Sequence, residues 1–277
     1  MAGARFATIA VTSDALGRTG TLPTPPRRIV SLVPSQTELL ADLGLDAEVV
    51  GLTRFCVHPD GWKARKRIVG GTKNVRLDRV AALNPDLILA NKEENEREQV
   101  EALTEIAPVY VTDVATVAGA LALIRAVGAL VGRAARAQAL AREVEAGFAG
   151  LGAAEPIPVA YLIWRDPYMT VGGDTFISDV LARAGLINVF REQARYPEAT
   201  LAGLREAGAE AVLLSSEPYP FRRDHAAEVE EASGLPTVPI DGELCSWYGS
   251  RMRRAAPYLA DFRERLRETL RSKTSQA

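Results

Sequence analysis

Two stretches of the chain, Leu77–Glu94 (LDRVAALNPDLILANKEE) and Leu201–Pro218 (LAGLREAGAEAVLLSSEP), carry one pattern written twice. Each reads as a short helix, a small turn (Asn84-Pro85, then Gly208-Ala209), an apolar strand, and a polar loop at the strand's carboxyl end. Identities are few (Leu77/Leu201, Leu89/Leu213, Glu93/Glu217), so the likeness is one of pattern. Solenoid repeats recur every 20–50 residues or so. A single recurrence over this longer distance predicts two similar α/β lobes. A cleft between lobes is where a small ligand is expected to bind.

Composition narrows the class. The chain has 277 residues, enough for one large domain or two ordinary ones. Its 47% apolar and 25% charged content is that of a soluble globular protein. A net charge of −2 with no long run of one sign argues against a nucleic-acid partner. Two cysteines exclude a disulfide scaffold; Cys56 and Cys245 are either free thiols or one bridge. The most apolar stretch, Val114–Val131, contains Arg125, which argues against a membrane-spanning helix. Residues 1–10 lack the basic start, apolar core and cleavage site of a secretory signal, and no lipid-attachment cysteine follows. As it stands the chain is expected in the cytoplasm as a monomer, or in the periplasm or at the cell surface if a signal has been omitted.

Strands alternating with helices predict α/β lobes built on parallel sheets. The expected divisions are an extension or loose hairpin over 1–26, a first lobe over 27–112, a linking helix over 113–151 and a second lobe over 152–277. The linker has no proline, and Val117, Leu121, Ile124, Val127 and Val131 recur at helical steps. Some thirty helical residues would reach about 45 Å and form a stiff connection. Ser35 and Glu38 have the spacing of a capping box before the first helix, which Gly44 closes.

In open α/β sheets ligands lie beyond the carboxyl ends of the strands. Those loops hold Phe55, Cys56, His58, Thr72, Lys73, Asn91 and Lys92 in the first lobe. The second-lobe loops hold Trp164, Arg165, Tyr168, Tyr196, Trp247, Tyr248 and Arg251. Aromatic residues are only 6% of the chain, yet they gather here, which suits a bulky and partly apolar ligand. Lysine and arginine on the same loops suit its carboxylate, amide or phosphate groups. Cys56-Val57-His58 places a thiol and an imidazole on one side of an extended segment, so His58 is a candidate for the metal of a chelate. The same pair permits an enzyme in which Cys56 is the nucleophile and His58 the base. Gly70-Gly71-Thr72-Lys73 lacks the spacing of a phosphate loop, and His225 reads as a surface residue.

The run Arg28–Leu40 (RIVSLVPSQTELL), the strand Leu83–Ala90 (LNPDLILA) and the aromatic loops of the second half resemble the iron-chelate and vitamin B12-binding proteins of bacterial ABC importers. The resemblance runs from about Arg27 to Leu270. It implies two Rossmann-like lobes joined by one long backbone helix. A corrinoid, haem or iron–siderophore would lie in the cleft between them, and no catalysis would take place. By loop spacing the chain is similar to the B12-binding branch, with Phe55 and Tyr196 at positions that face the corrin there and Trp164 and Tyr168 on a neighbouring loop. Two further aromatic positions of that branch fall on Thr72 and Asn91, which implies a more polar first-lobe side. The family docks on its permease through one acid per lobe. Asp78 stands at the first of these places and Ala202 at the second, with Glu198 and Glu206 a turn away. The resemblance therefore implies a carrier of a metal chelate for uptake, the alternative being a cytoplasmic carrier or sensor of haem or an iron–siderophore.

Overall fold

The computed structural model describes residues 7–11, 14–152 and 155–274. The chain forms two compact units. One comprises Met1–Val114, Gly119–Glu143 and Tyr248–Arg251; the other comprises Ala115–Ala118, Val144–Trp247 and Met252–Ala277.

The first unit opens with an antiparallel hairpin of β1 (Ala7–Val11) and β2 (Gly20–Thr24). The loop joining them is anchored on the sheet that follows: Ala15 N–H donates to Val111 O at 2.9 Å, and Val111 N–H donates to the Asp14 carboxylate at 3.3 Å. Then come β3 (Ile29–Ser31), α1 (Pro34–Asp42), β4 (Val49–Leu52), α2 (Trp62–Arg65), β5 (Arg67–Ile68), α3 (Leu77–Ala81), β6 (Leu87–Asn91), α4 (Arg97–Leu103) and β7 (Val109–Thr112). The five later strands form a wholly parallel sheet in the order β5-β4-β3-β6-β7. Every residue of β6 is buried, the mark of a strand covered on both faces. Val30, Ile88, Val100, Leu103 and Val111 share one apolar core. Strand order reverses between β3 and β6, and it is beyond the carboxyl ends at such a reversal that open α/β sheets bind ligands.

Two local expectations change. The capping box at Ser35 does not form. Pro34, with its preset φ and missing N–H, occupies the start of α1, and Glu38 is drawn to Arg251 instead. The unbroken helix over 113–151 is two helices, α5 (Val117–Leu130) and α6 (Ala134–Ala149). Gly132, at φ +70°, breaks the hydrogen-bond ladder between them. The 16 residues of α6 span roughly 24 Å, about half the reach expected of one rod. The boundary between the units, Glu143/Val144, falls inside α6. No helix among the described residues is long and apolar enough to cross a membrane.

The second unit contains β8 (Ile157–Trp164), β9 (Met169–Thr170), α7 (Phe176–Arg183), β10 (Leu186–Asn188), α8 (Leu201–Glu206), β11 (Ala211–Ser215), α9 (Arg223–Ser233), β12 (Thr237–Ile240), α10 (Gly242–Ser246) and α11 (Met252–Thr274). Its parallel sheet runs β10-β8-β11-β12, with β9 antiparallel to the end of β8. Here the order reverses between β8 and β11. Pro257 is accommodated within α11.

The two copies of the pattern fold alike. Helix α3 leads to β6 as α8 leads to β11, and both turns use a left-handed residue, Asn84 at φ 44° and Gly208 at φ 87°. Glycine and asparagine are the residues that adopt this conformation most readily.

Candidate functional site

At the reversal point of the first unit the strand ends carry a buried polar layer. Gln36 donates through Nε2 to Thr112 Oγ1 at 2.5 Å, and Asn91 Nδ2 donates to Thr112 O at 3.0 Å. Asn91 Oδ1 accepts from the N–H groups of Glu93 and Glu94 at 2.8 and 3.1 Å, which shapes the loop after β6. Asn95 Nδ2 ties that loop to Thr72 O at 2.9 Å. Tyr248 lies over this layer, and burial pushes its phenol well up against the opposing influence of Gln36, Ser35 and Thr112. Thr72, Asn91 and Tyr248, candidates for ligand contact by sequence, are buried in this structure.

The cationic candidates are already engaged. Lys73 Nζ donates to Glu93 O at 2.7 Å and lies 3.4 Å from Glu96. Lys92 pairs with Asp113 at 2.9 Å, and Arg251 is buried against Glu38. The Arg251 pair is buried, whereas the two lysine pairs stay exposed to solvent.

Cys56 is a correction. Its sulfur is fully buried, with Thr37 Oγ1 donating to it at 3.1 Å and a further hydrogen bond joining it to Thr53 Oγ1 at 3.2 Å. Burial raises the thiol pKa, which disfavours a thiolate at neutral pH and turns the sulfur away from solvent. His58 is half-buried before a cis proline, and no group of three or more His, Cys, Asp or Glu side chains among the described residues can hold a metal. Cys56 and Cys245 are both free thiols, which removes the bridge. Beside Cys56, two large apolar side chains stay open: Phe55 is 49% exposed and Val57 42%.

The second unit is more aromatic. Trp164, at the carboxyl end of β8, is 41% exposed and meets Tyr219 edge-on at 5.6 Å. Tyr219 in turn packs on Phe221 at 4.8 Å and on His225 at 5.5 Å. His225 is buried, which corrects its reading as a surface residue. Arg222 N–H donates to its Nδ1 at 3.1 Å, so the neutral ring carries its proton on Nε2, 3.5 Å from Tyr219 Oη. Arg165 reaches Asp166 at 3.1 Å and Glu228 at 2.9 Å, while Tyr168 Oη donates to Glu228 at 2.9 Å. Hydrogen bonding with Tyr168 and Glu228 raises the Arg165 pKa further, so this cation too has its partners. Tyr196 is half-buried under the Arg195 guanidinium at 5.3 Å.

Trp247 is buried and hydrogen-bonded. Its Nε1 and Ser246 Oγ both donate to Glu217 Oε1 at 2.7 Å, and burial raises the Glu217 pKa against those bonds. Cys245 is buried beside Tyr161, its thiol pushed up to about 12 by burial.

A sequence profile described as periplasmic binding protein matches residues 29–238. The chain belongs to the periplasmic binding protein family. Among relatives, the vitamin B12-binding protein of Vibrio campbellii is 26% identical over 202 residues, covering 71% of this chain and 72% of its own. An uncharacterized ABC transporter substrate-binding lipoprotein of Bacillus subtilis is 24% identical over 264 residues, covering 90% and 83%. The crystal structure of the periplasmic vitamin B12-binding protein of Vibrio cholerae superposes with a TM-score of 0.73 at 18% identity, covering 86% of this chain and 96% of that one. As members of this family do, the chain carries two α/β units on parallel sheets. Asp78 and Ala202, the second residues of α3 and α8, are both exposed, and Asp78 is held by Arg76 at 3.3 Å. Glu198 and Glu206 are exposed as well.

Proposed function

We propose that this periplasmic binding protein carries a metal chelate with a flat, partly apolar face, a corrinoid in the first instance, for ABC-type uptake. The observation that carries the reading is the pair of exposed aromatics, Phe55 and Trp164, each at the strand ends of its own unit where α/β sheets bind ligands. Their faces supply area and stacking at little conformational cost. The relative named for vitamin B12 supports a corrinoid, and the relative named as an ABC transporter lipoprotein supports uptake. Asp78 is the acid offered to a permease from the first unit. Buried thiols at Cys56 and Cys245 argue for carriage over catalysis.

Titrating purified protein with cobalamin, cobinamide, haem and ferric siderophores, followed by absorption, tests this reading. Saturable binding of a corrinoid is expected, weakened about two- to tenfold in Trp164→Ala by loss of a stacking partner worth about 0.5–1.5 kcal/mol. Failure to bind any of the four overturns it. Fractionation of the native host decides between uptake at the envelope and carriage within the cell.

A further inference from the structure

We propose that Arg54, stacked on Phe55, selects ligands that carry an anionic group beside their flat face. This rests on the chelate-binding reading above and adds a chemical class to it. The Arg54 guanidinium carbon lies 5.1 Å from the centroid of the Phe55 ring. Both residues are exposed at the carboxyl end of β4. Their backbone is pinned by Arg54 N–H donating to Gly70 O at 2.8 Å.

Gly71 explains how the stack fits. A Cβ there would lie 3.2 Å from Arg54 Nη2, 3.3 Å from Arg54 Nε and 3.2 Å from Phe55 Cε2. Gly71 is not in the left-handed region, so its backbone conformation does not require glycine. The missing side chain instead makes room for guanidinium and ring together.

Charge is the second point. Lys73, Lys92, Arg165 and Arg251 each have a carboxylate of their own, whereas no carboxylate among the described residues pairs with Arg54. A guanidinium stacked by one face keeps its in-plane N–H groups for two parallel bonds to a carboxylate or phosphate. A ligand with a flat face and an adjacent anion would meet ring and cation at once.

The test compares iron protoporphyrin IX with its dimethyl ester, and cobalamin with cobinamide, which lacks the phosphate-linked nucleotide. Affinities are measured for the native protein, Arg54→Gln, Arg54→Lys and Gly71→Ala. The native protein is expected to prefer the charged member of at least one pair, and the preferred pair names carboxylate or phosphate. Arg54→Gln should lose about ten- to a hundredfold for that member, the scale of hydrogen bonds to a charged group, and leave the neutral member unchanged. Arg54→Lys should recover part of the loss, and Gly71→Ala should reproduce part of it by displacing the stack. Equal binding of charged and neutral members by the native protein overturns the inference, as does an equal loss of both in Arg54→Gln. If the native protein binds neither member of either pair, this inference falls, and the chelate reading falls with it only where ferric siderophores fail to bind as well.

Discussion

Arg251 grips Glu38 through two parallel hydrogen bonds, Nε to Oε2 at 2.7 Å and Nη2 to Oε1 at 3.0 Å, with the guanidinium side chain only 4% exposed. The pair fastens the segment Tyr248–Arg251 to α1 of the first unit. Removing one partner of a buried pair strands the other charge, which costs about 3–5 kcal/mol. Arg251→Ala is therefore expected to lower the urea midpoint sharply. The double variant Glu38→Leu/Arg251→Met should be markedly more stable than the single one, and a double-mutant cycle measures the difference.

Glu217 gives a pH dependence of definite sign. Burial raises its pKa in the folded state above the ordinary glutamate value of about 4.3. In the window between the two values the folded state binds more protons than the unfolded one, so stability falls as pH rises. Its contribution is full below the ordinary value and is lost as pH climbs through the raised one. Glu217→Gln keeps an acceptor for Ser246 and Trp247, so urea midpoints measured across this range should lose that slope.

Both thiols should be silent in the native protein. Cys56 and Cys245 are fully buried, and burial raises the pKa of each. A thiol-exchange reagent at neutral pH is expected to find no reactive thiol in buffer and both in denaturant. Rapid reaction of Cys56 in the folded protein would restore the enzyme reading that its burial disfavours.

Gly128 is a helical glycine where alanine should be harmful. Helix propensity alone favours alanine by up to about 1 kcal/mol. The added Cβ, however, would lie 2.0 Å from Ala137 Cβ, where α5 and α6 meet. Overpacking of this kind costs about 1–3 kcal/mol, so the clash wins and Gly128→Ala should lower the melting temperature. Gly128→Ala combined with Ala137→Gly should recover most of the loss.

Much of the fold was legible because its signals are local. The strands Val49–Leu52, Val109–Thr112, Ala211–Ser215 and Thr237–Ile240 coincide with short apolar runs in the chain. The turn at Asn84 and its counterpart at Gly208 were readable from the residues that tolerate a left-handed backbone. Less of the site was legible. Ser35 and Glu38 had the right spacing for a cap, but Glu38 answers to Arg251, far away in sequence. His225 sits among charged neighbours in the chain, yet the aromatic side chains of Tyr219 and Phe221 enclose it.

By itself, the sequence determined the two α/β units, their matching helix–turn–strand segments and the loops that gather the aromatics, since periodicity and turn chemistry act over a few residues. Only tertiary structure decided which side chains on those loops remain open. Cys56, Thr72, Asn91, Tyr248 and Arg251 are buried, while Phe55 and Trp164 stay exposed and Arg54 keeps its charge unmatched among the described residues. Exposure and charge pairing depend on residues brought together from distant parts of the chain, and no local pattern encodes them.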